Sequence, residues 1–251
     1  MEYNQTNNYY GGVADNNKQN YDIEYGDNRM DAELMMRLGF IKKVYGILSI
    51  QLLITTITCF ISMSSKSFAS FQINNIWLMW LCLIGSIIVM IALICFRNLC
   101  REVPTNYILL LSFTVFESYL VSFVCSKTNP SLVLMAAAMT FGITVALTLY
   151  ACTTKTDFTI CGSLLFVLGC ILLLFSIFAI FTHNKIFHII LSCFGVLLFS
   201  FYLVYDTQLL LGSKENSLEI DDYILGALML YVDIINLFLY ILSLFKLFDS
   251  N

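Results

Sequence analysis

Seven long apolar runs constrain this chain more than any other feature. They cover residues 40–62, 76–96, 107–126, 131–150, 159–181, 188–211 and 223–245. A hydrocarbon core about 30 Å thick takes about 20 residues of helix at 1.5 Å rise per residue. Lipid offers the backbone no hydrogen-bond partners, so a spanning segment must satisfy its own N–H and C=O groups as a helix. Composition agrees: 59% of residues are apolar and 12% charged, against about 25% charged in soluble domains. The chain reads as an all-α integral membrane protein, a seven-helix bundle. Its connections are short, so residues 37–251 make one transmembrane domain.

Residues 1–36 are rich in Asn, Tyr, Asp and Gly and poor in aliphatics. Such composition predicts a disordered tail. No basic segment followed by an apolar core starts the chain, so no cleaved signal peptide is expected. Lys and Arg flank the runs unevenly. Arg37, Lys42, Lys43, Arg97, Arg101, Lys155 and Lys214 fall on one side, and Lys66, Lys127, Lys185 and Lys246 on the other. The richer side is expected to be cytosolic, which places the N-terminus and the acidic loop 212–222 there. The C-terminus falls opposite, unless the last run is re-entrant. Net charge is −4 and no basic patch for nucleic acid exists. The nine cysteines lie mostly inside apolar runs without a CxxC pair. They read as small packing residues rather than a disulfide or metal framework. His183 and His188 read as interfacial residues.

Three acids break the apolar runs: Glu117 in FTVFESYL, Asp206 in LVYDTQLLLG and Asp233 in LMLYVDIINLFLYIL. A carboxylate at a helix centre costs about 2.5–3.5 kcal/mol on insertion scales. No Lys or Arg lies deep in a run to offset that, so these acids should face the interior, face water or share protons. Asn236 and Tyr240 follow Asp233 on one helix face, with Gly226 before it. Tyr202, Ser192 and Gly195 lie behind Asp206 in the same way. Measured from their ends, Asp206 lies about one and a half turns deep and Asp233 about three, so their depths do not match simply. If the carboxylates meet, two like charges in low dielectric cannot both ionise easily, and they titrate as a pair. Such a pair is a pH-sensitive, weak calcium site, since calcium prefers more oxygen ligands. Weak binding suits a pathway that ions must also leave. Arg97 and Arg101, one turn apart, are interfacial anchors or candidate latches for Asp206.

Small residues recur at packing intervals. Ala138, Gly142 and Ala146 step by four, and Gly162, Gly169 and Ser176 by seven. Both stripes are expected to let helices approach closely.

Four motifs in order, MMRLGFIKKVYGILSIQLLIT, LTLYACTTKTDFT, LVYDTQLLLG and LGALMLYVDIINLFLYIL, resemble the transmembrane Bax-inhibitor-motif family. The set is most similar to its Lifeguard (glutamate-receptor-associated) branch. The likeness runs from about Met36 to Phe245. The N-terminal tail departs from it, being shorter and Asn-rich where many animal members are rich in Pro and Gly. The resemblance implies a seven-helix fold with the last helix central, and residence in endoplasmic reticulum or Golgi. It implies a pH-sensitive calcium leak with a cytoprotective, anti-apoptotic role. The family's di-aspartyl pH sensor falls on Asp206 and Asp233, and its third-helix acid on Glu117. Asn236, Tyr240 and Tyr202 become supporting residues. No cofactor is implied. Calcium is the permeant ion, and the partners are membrane lipids, protons and cell-death regulatory proteins.

Two other function classes compete. A non-conducting regulator of cell death would act through protein partners. An intramembrane aspartyl protease also carries a YD dipeptide, here Tyr205-Asp206. It requires GxGD before the second aspartate, where this chain has LYVD, and a Pro-Ala-Leu element that Pro104 and Pro130 cannot supply. A G-protein-coupled receptor is disfavoured because DRY-like and NPxxY-like elements are absent from the expected ends.

Overall fold

The computed structural model describes residues 32–212 and 217–249, apart from the side chain of Arg97. The expected disordered tail therefore lies outside the described residues up to residue 31, while residues 32–36 are already helical. Residues 1–40 and 41–251 form separate units. In the first, residues 32–40 are the opening turns of α1 (Ala32–Ser64). The bundle below belongs to the second.

After α1 come α2 (Lys66–Asn74), α3 (Ile76–Cys95), α4 (Arg97–Arg101), α5 (Thr105–Ser126) and α6 (Pro130–Thr153). A 3-10 turn at Thr159–Cys161 leads into α7 (Gly162–Ala179), followed by α8 (Lys185–Leu211) and α9 (Tyr223–Asp249). Among the described residues, seven helices are long and apolar enough to cross a membrane. They coincide with the seven apolar runs within four residues at each end, except that the described part of α1 begins eight residues before its run.

Local chemistry sets the helix ends. Ser65 Oγ accepts from Phe68 N at the start of α2. Asn129 caps α6, which has Pro130 in its first turn, and Asn184 caps α8. Each cap satisfies a backbone N–H that has no partner inside its helix. Gly212 ends α8 in the left-handed region, at φ 67°, where a side chain would clash.

Large aliphatic and aromatic side chains cover the outside. Trp77, Phe141, Phe166, Leu174 and Phe181 are all exposed, as lipid contact requires. α9 is the buried helix. It packs against α4, α5, α6 and α8, and Leu228, Tyr231 and Leu237 on it are wholly enclosed. The last helix is therefore central.

The two small-residue stripes differ in fate. Gly162, Gly169 and Ser176 receive tyrosines rather than a neighbouring backbone. A Cβ on Gly162 would sit 2.5 Å from Tyr205 Oη, and one on Gly169 would sit 2.8 Å from Tyr202 Oη. Ser176 Oγ meets Tyr240 Oη at 3.2 Å. The other stripe does not pack. Ala138, Gly142 and Ala146 are exposed, and a Cβ on Gly142 would touch nothing within 4 Å. Its four-residue step places all three on the face of α6 turned away from α8 and α9.

Candidate functional site

α8 and α9 run antiparallel in a register fixed by three contacts. Ser192 and Ser243 hydroxyls lie 2.9 Å apart. The Tyr240 ring covers Gly195, and Leu210 lies over Gly226. In that register residue 206 faces about residue 230, so Asp233 lies only about one turn deeper, roughly 4.5 Å. Counting from helix ends overstated the offset, because α9 begins beyond the level at which α8 stops. The loop between them folds back, with Leu218 N donating to Leu209 O at 3.1 Å.

The side chains of Asp206 and Asp233 bridge that single turn and hydrogen-bond to each other. Asp206 is 5% exposed and Asp233 4%, so little water reaches them. Among the described residues no Lys or Arg pairs with either. A hydrogen bond between two carboxyl groups needs a proton on at least one of them. Each group gives one oxygen to the other and keeps one buried oxygen without a partner, Asp206 Oδ1 and Asp233 Oδ2. Two acceptors therefore remain free beside a shared proton. Among the described residues no cluster of three His, Cys, Asp or Glu side chains exists to hold a metal tightly.

The other expected site residues are spread around this pair. Tyr202 lies within electrostatic reach of both aspartates, but its hydroxyl donates to Leu165 O at 2.7 Å. Tyr240 reaches Ser176. Asn236 Nδ2 donates to Val232 O in its own helix at 2.8 Å. Glu117 hydrogen-bonds Ser86 of α3 and faces Tyr231, apart from the aspartates. Arg101 does not reach Asp206. Its Nε donates to Asp222 Oδ1 at 2.8 Å and its Nη2 to Glu219 Oε2 at 2.6 Å. These bonds, Asp222 first, push its pKa upward, and it ties α4 to the α8–α9 loop. The Arg97 side chain lies outside the described residues.

Two polar arrangements carry no charge and were not singled out in the sequence. Gln208 is wholly buried. Its Nε2 donates to Thr156 O at 2.9 Å, and its Oε1 accepts from Phe158 N at 2.8 Å. It thereby clamps the α6–α7 connection, where Asp157 Oδ1 also accepts from Thr159 N and Oγ1. The motifs LVYDTQ and TTKTDFT are thus one joined structure. Across the bundle, Thr55 of α1 meets Tyr231 of α9 at 2.8 Å, and Gln51 donates to Thr114 of α5 at 3.0 Å. A neutral glutamine inside an apolar run was the available signal for both.

Comparison with known proteins adds to this geometry. Residues 37–250 match the family model described as inhibitor of apoptosis-promoting Bax1. The chain is 34% identical over 230 residues to the Golgi anti-apoptotic protein of vaccinia virus (strain Lister), covering 92% of this chain and 94% of that protein. It is 34% identical over 222 residues to mouse protein lifeguard 4, covering 88% and 90%. Human protein lifeguard 3 is 33% identical over 213 residues, covering 83% and 68%.

Proposed function

We propose, from the premise that this chain belongs to the family of inhibitors of apoptosis-promoting Bax1, that it protects cells as a pH-sensitive calcium leak. Its place is an intracellular membrane, with the N-terminus cytosolic. The observation that carries this reading is the carboxyl pair itself. Asp206 and Asp233 are buried and joined, without a cation beside them among the described residues, and each has one oxygen to spare.

The sign of the pH response follows from that bond. At low pH the pair holds at least one proton, and the hydrogen bond keeps α8 and α9 together. As pH rises the last shared proton leaves, the acceptors lose their donor and the two charges repel. The pair must then separate or take up a cation. Calcium is the passing cargo here, held by too few oxygens to stay. Leak should therefore increase with pH. Glu117 of α5, which meets Ser86 and Tyr231, is the third acid of the proposed pathway. The vaccinia relative's name places that protein in the Golgi, which supports an endomembrane location for this one.

Calcium flux into liposomes carrying the purified chain tests this reading. Flux should climb from acid to alkaline pH in the wild type. Asp206→Asn and Asp233→Asn should each flatten that climb, since an amide keeps its donor at every pH. A wild-type pH profile in both variants removes the paired gate. No flux at any pH removes the channel. That second outcome favours a non-conducting regulator acting through partners, a reading supported by the vaccinia relative's name and the family description, both of which speak of apoptosis.

A further inference from the structure

Outside the aspartate pair, two thiols from different helices face each other. Cys59 lies in α1, five residues before its end at Ser64, and Cys125 is next to last in α5. Their side chains are in hydrogen-bond contact. Both are buried, Cys125 completely. Both also line one groove of about 340 Å³ between α1, α5, α6 and α9. The walls of the groove are mostly apolar, including Leu52, Val133 and Phe238, with Thr55, Thr140 and Thr144 among them. Phe60, Leu134 and Phe141 on its margin are strongly exposed, so it opens onto the lipid-facing surface.

We propose that Cys59 and Cys125 are a modification site, closing to an intramolecular disulfide when a small hydroperoxide enters this groove. The groove selects the oxidant. A bulky, charged disulfide such as oxidised glutathione fits neither its volume nor its apolar walls, whereas a hydroperoxide partitions into lipid and needs little room. The Cys125 sulfur, which accepts the hydrogen bond of the Cys59 thiol, attacks the nearer peroxide oxygen and the O–O bond breaks. Its thiol proton goes to the departing oxygen, leaving Cys125 sulfenic acid and one water or alcohol. The Cys59 sulfur then attacks the Cys125 sulfur, the S–O bond breaks and the Cys59 proton leaves in a water molecule. Two thiols are oxidised and one hydroperoxide is reduced. The sulfurs close from hydrogen-bond contact to about 2.0 Å, between helices that the Gln51–Thr114 hydrogen bond already ties together. The bond staples α1 to α5 at the end where Ser62, Gln72 and Ser122 already form a buried hydrogen-bond chain between α1, α2 and α5.

Peptide mass spectrometry and thiol counting on the full-length protein in lipid vesicles test this. The vesicles are treated with hydrogen peroxide, quenched, and labelled with maleimide-polyethylene glycol under denaturing conditions. The expected result is loss of two label additions and a Cys59–Cys125 cross-linked peptide, both reversed by dithiothreitol. Oxidised glutathione at the same oxidising capacity should give much less of it. Cys59→Ser or Cys125→Ser should abolish the cross-link, and Cys193→Ser, at an exposed thiol, should leave it intact. If either serine variant fails to fold, the wild-type peptide map still decides. Full labelling of both cysteines after peroxide, or oxidation of either to sulfinic acid without the cross-link, overturns the proposal. So does equal cross-linking by oxidised glutathione. None of these readouts depends on calcium flux, so this site and the leak stand or fall separately.

Discussion

Gly195 shows how a single hydrogen atom sets the distance between α8 and α9. A Cβ there would lie 2.6 Å from Cδ1 and Cγ of the Tyr240 ring. Those are atoms near the base of the side chain, which cannot swing clear as a hydroxyl tip can. Gly195→Ala should therefore overpack the helix pair and cost about 1–3 kcal/mol. Gly142→Ala on the open face of α6 should be neutral or stabilise by about 0.5–1 kcal/mol, since glycine weakens a helix interior. Thermal denaturation of the purified protein in detergent distinguishes them, and equal midpoints would show that the Tyr240 seat yields easily. The contrast also marks what residue patterns disclose. A stripe of small residues is legible as a period. Whether tyrosines, a backbone or lipid lies against it depends on other helices. Asp206 and Asp233 were legible for the opposite reason: a charge in an apolar run is conspicuous whatever surrounds it.

Between elements, the α6–α7 connection is held by a helix distant in sequence. Gln208 satisfies one carbonyl and one N–H of residues 156–158, and its own amide is buried. Gln208→Leu would leave that backbone pair without partners at a cost of about 1–3 kcal/mol per group. The segment should then open, and trypsin should cut after the exposed Lys155 several-fold faster in the variant. Unchanged cleavage would mean that Asp157 and Thr159 hold the connection by themselves. Helix number and span limits came directly from the apolar runs, because membrane thickness fixes their length. The α8–α9 register did not, because it depends on how far α9 projects beyond α8. That offset is set by a folded-back loop whose hydrogen bond, Leu218 to Leu209, has no sequence signature. The latch expectation for Arg101 failed to find Asp206 for a similar reason: the loop brings Glu219 and Asp222 nearer.

At the scale of the whole molecule, contacts sort the charged loops onto two ends. Lys43 lies 3.3 Å over the Tyr223 ring, Arg101 pairs with Asp222, and Gln208 holds Thr156. These join the Lys43 turn of α1, the start of α9, the α3–α5 connection, the end of α8 and the α6–α7 connection at one end. Most of the residues on the basic-rich side of the sequence belong to those segments. If positive charge remains cytosolic, that end faces the cytosol. The α9 helix is 27 residues long, about 40 Å at helical rise, more than the core thickness of about 30 Å. A re-entrant final segment would need a break, and α9 is continuous from Tyr223 to Asp249. Acceptor sites for N-glycosylation therefore have a defined outcome in microsomes. Inserts with spacers after Lys127 or Thr182, or a tag following Asn251, should be glycosylated, and an insert after Thr154 should not. The reverse pattern would invert the protein. Modification after Lys127 and Thr182 but not after Asn251 would mean that α9 fails to cross, and with it the placement of Asp233 inside the membrane.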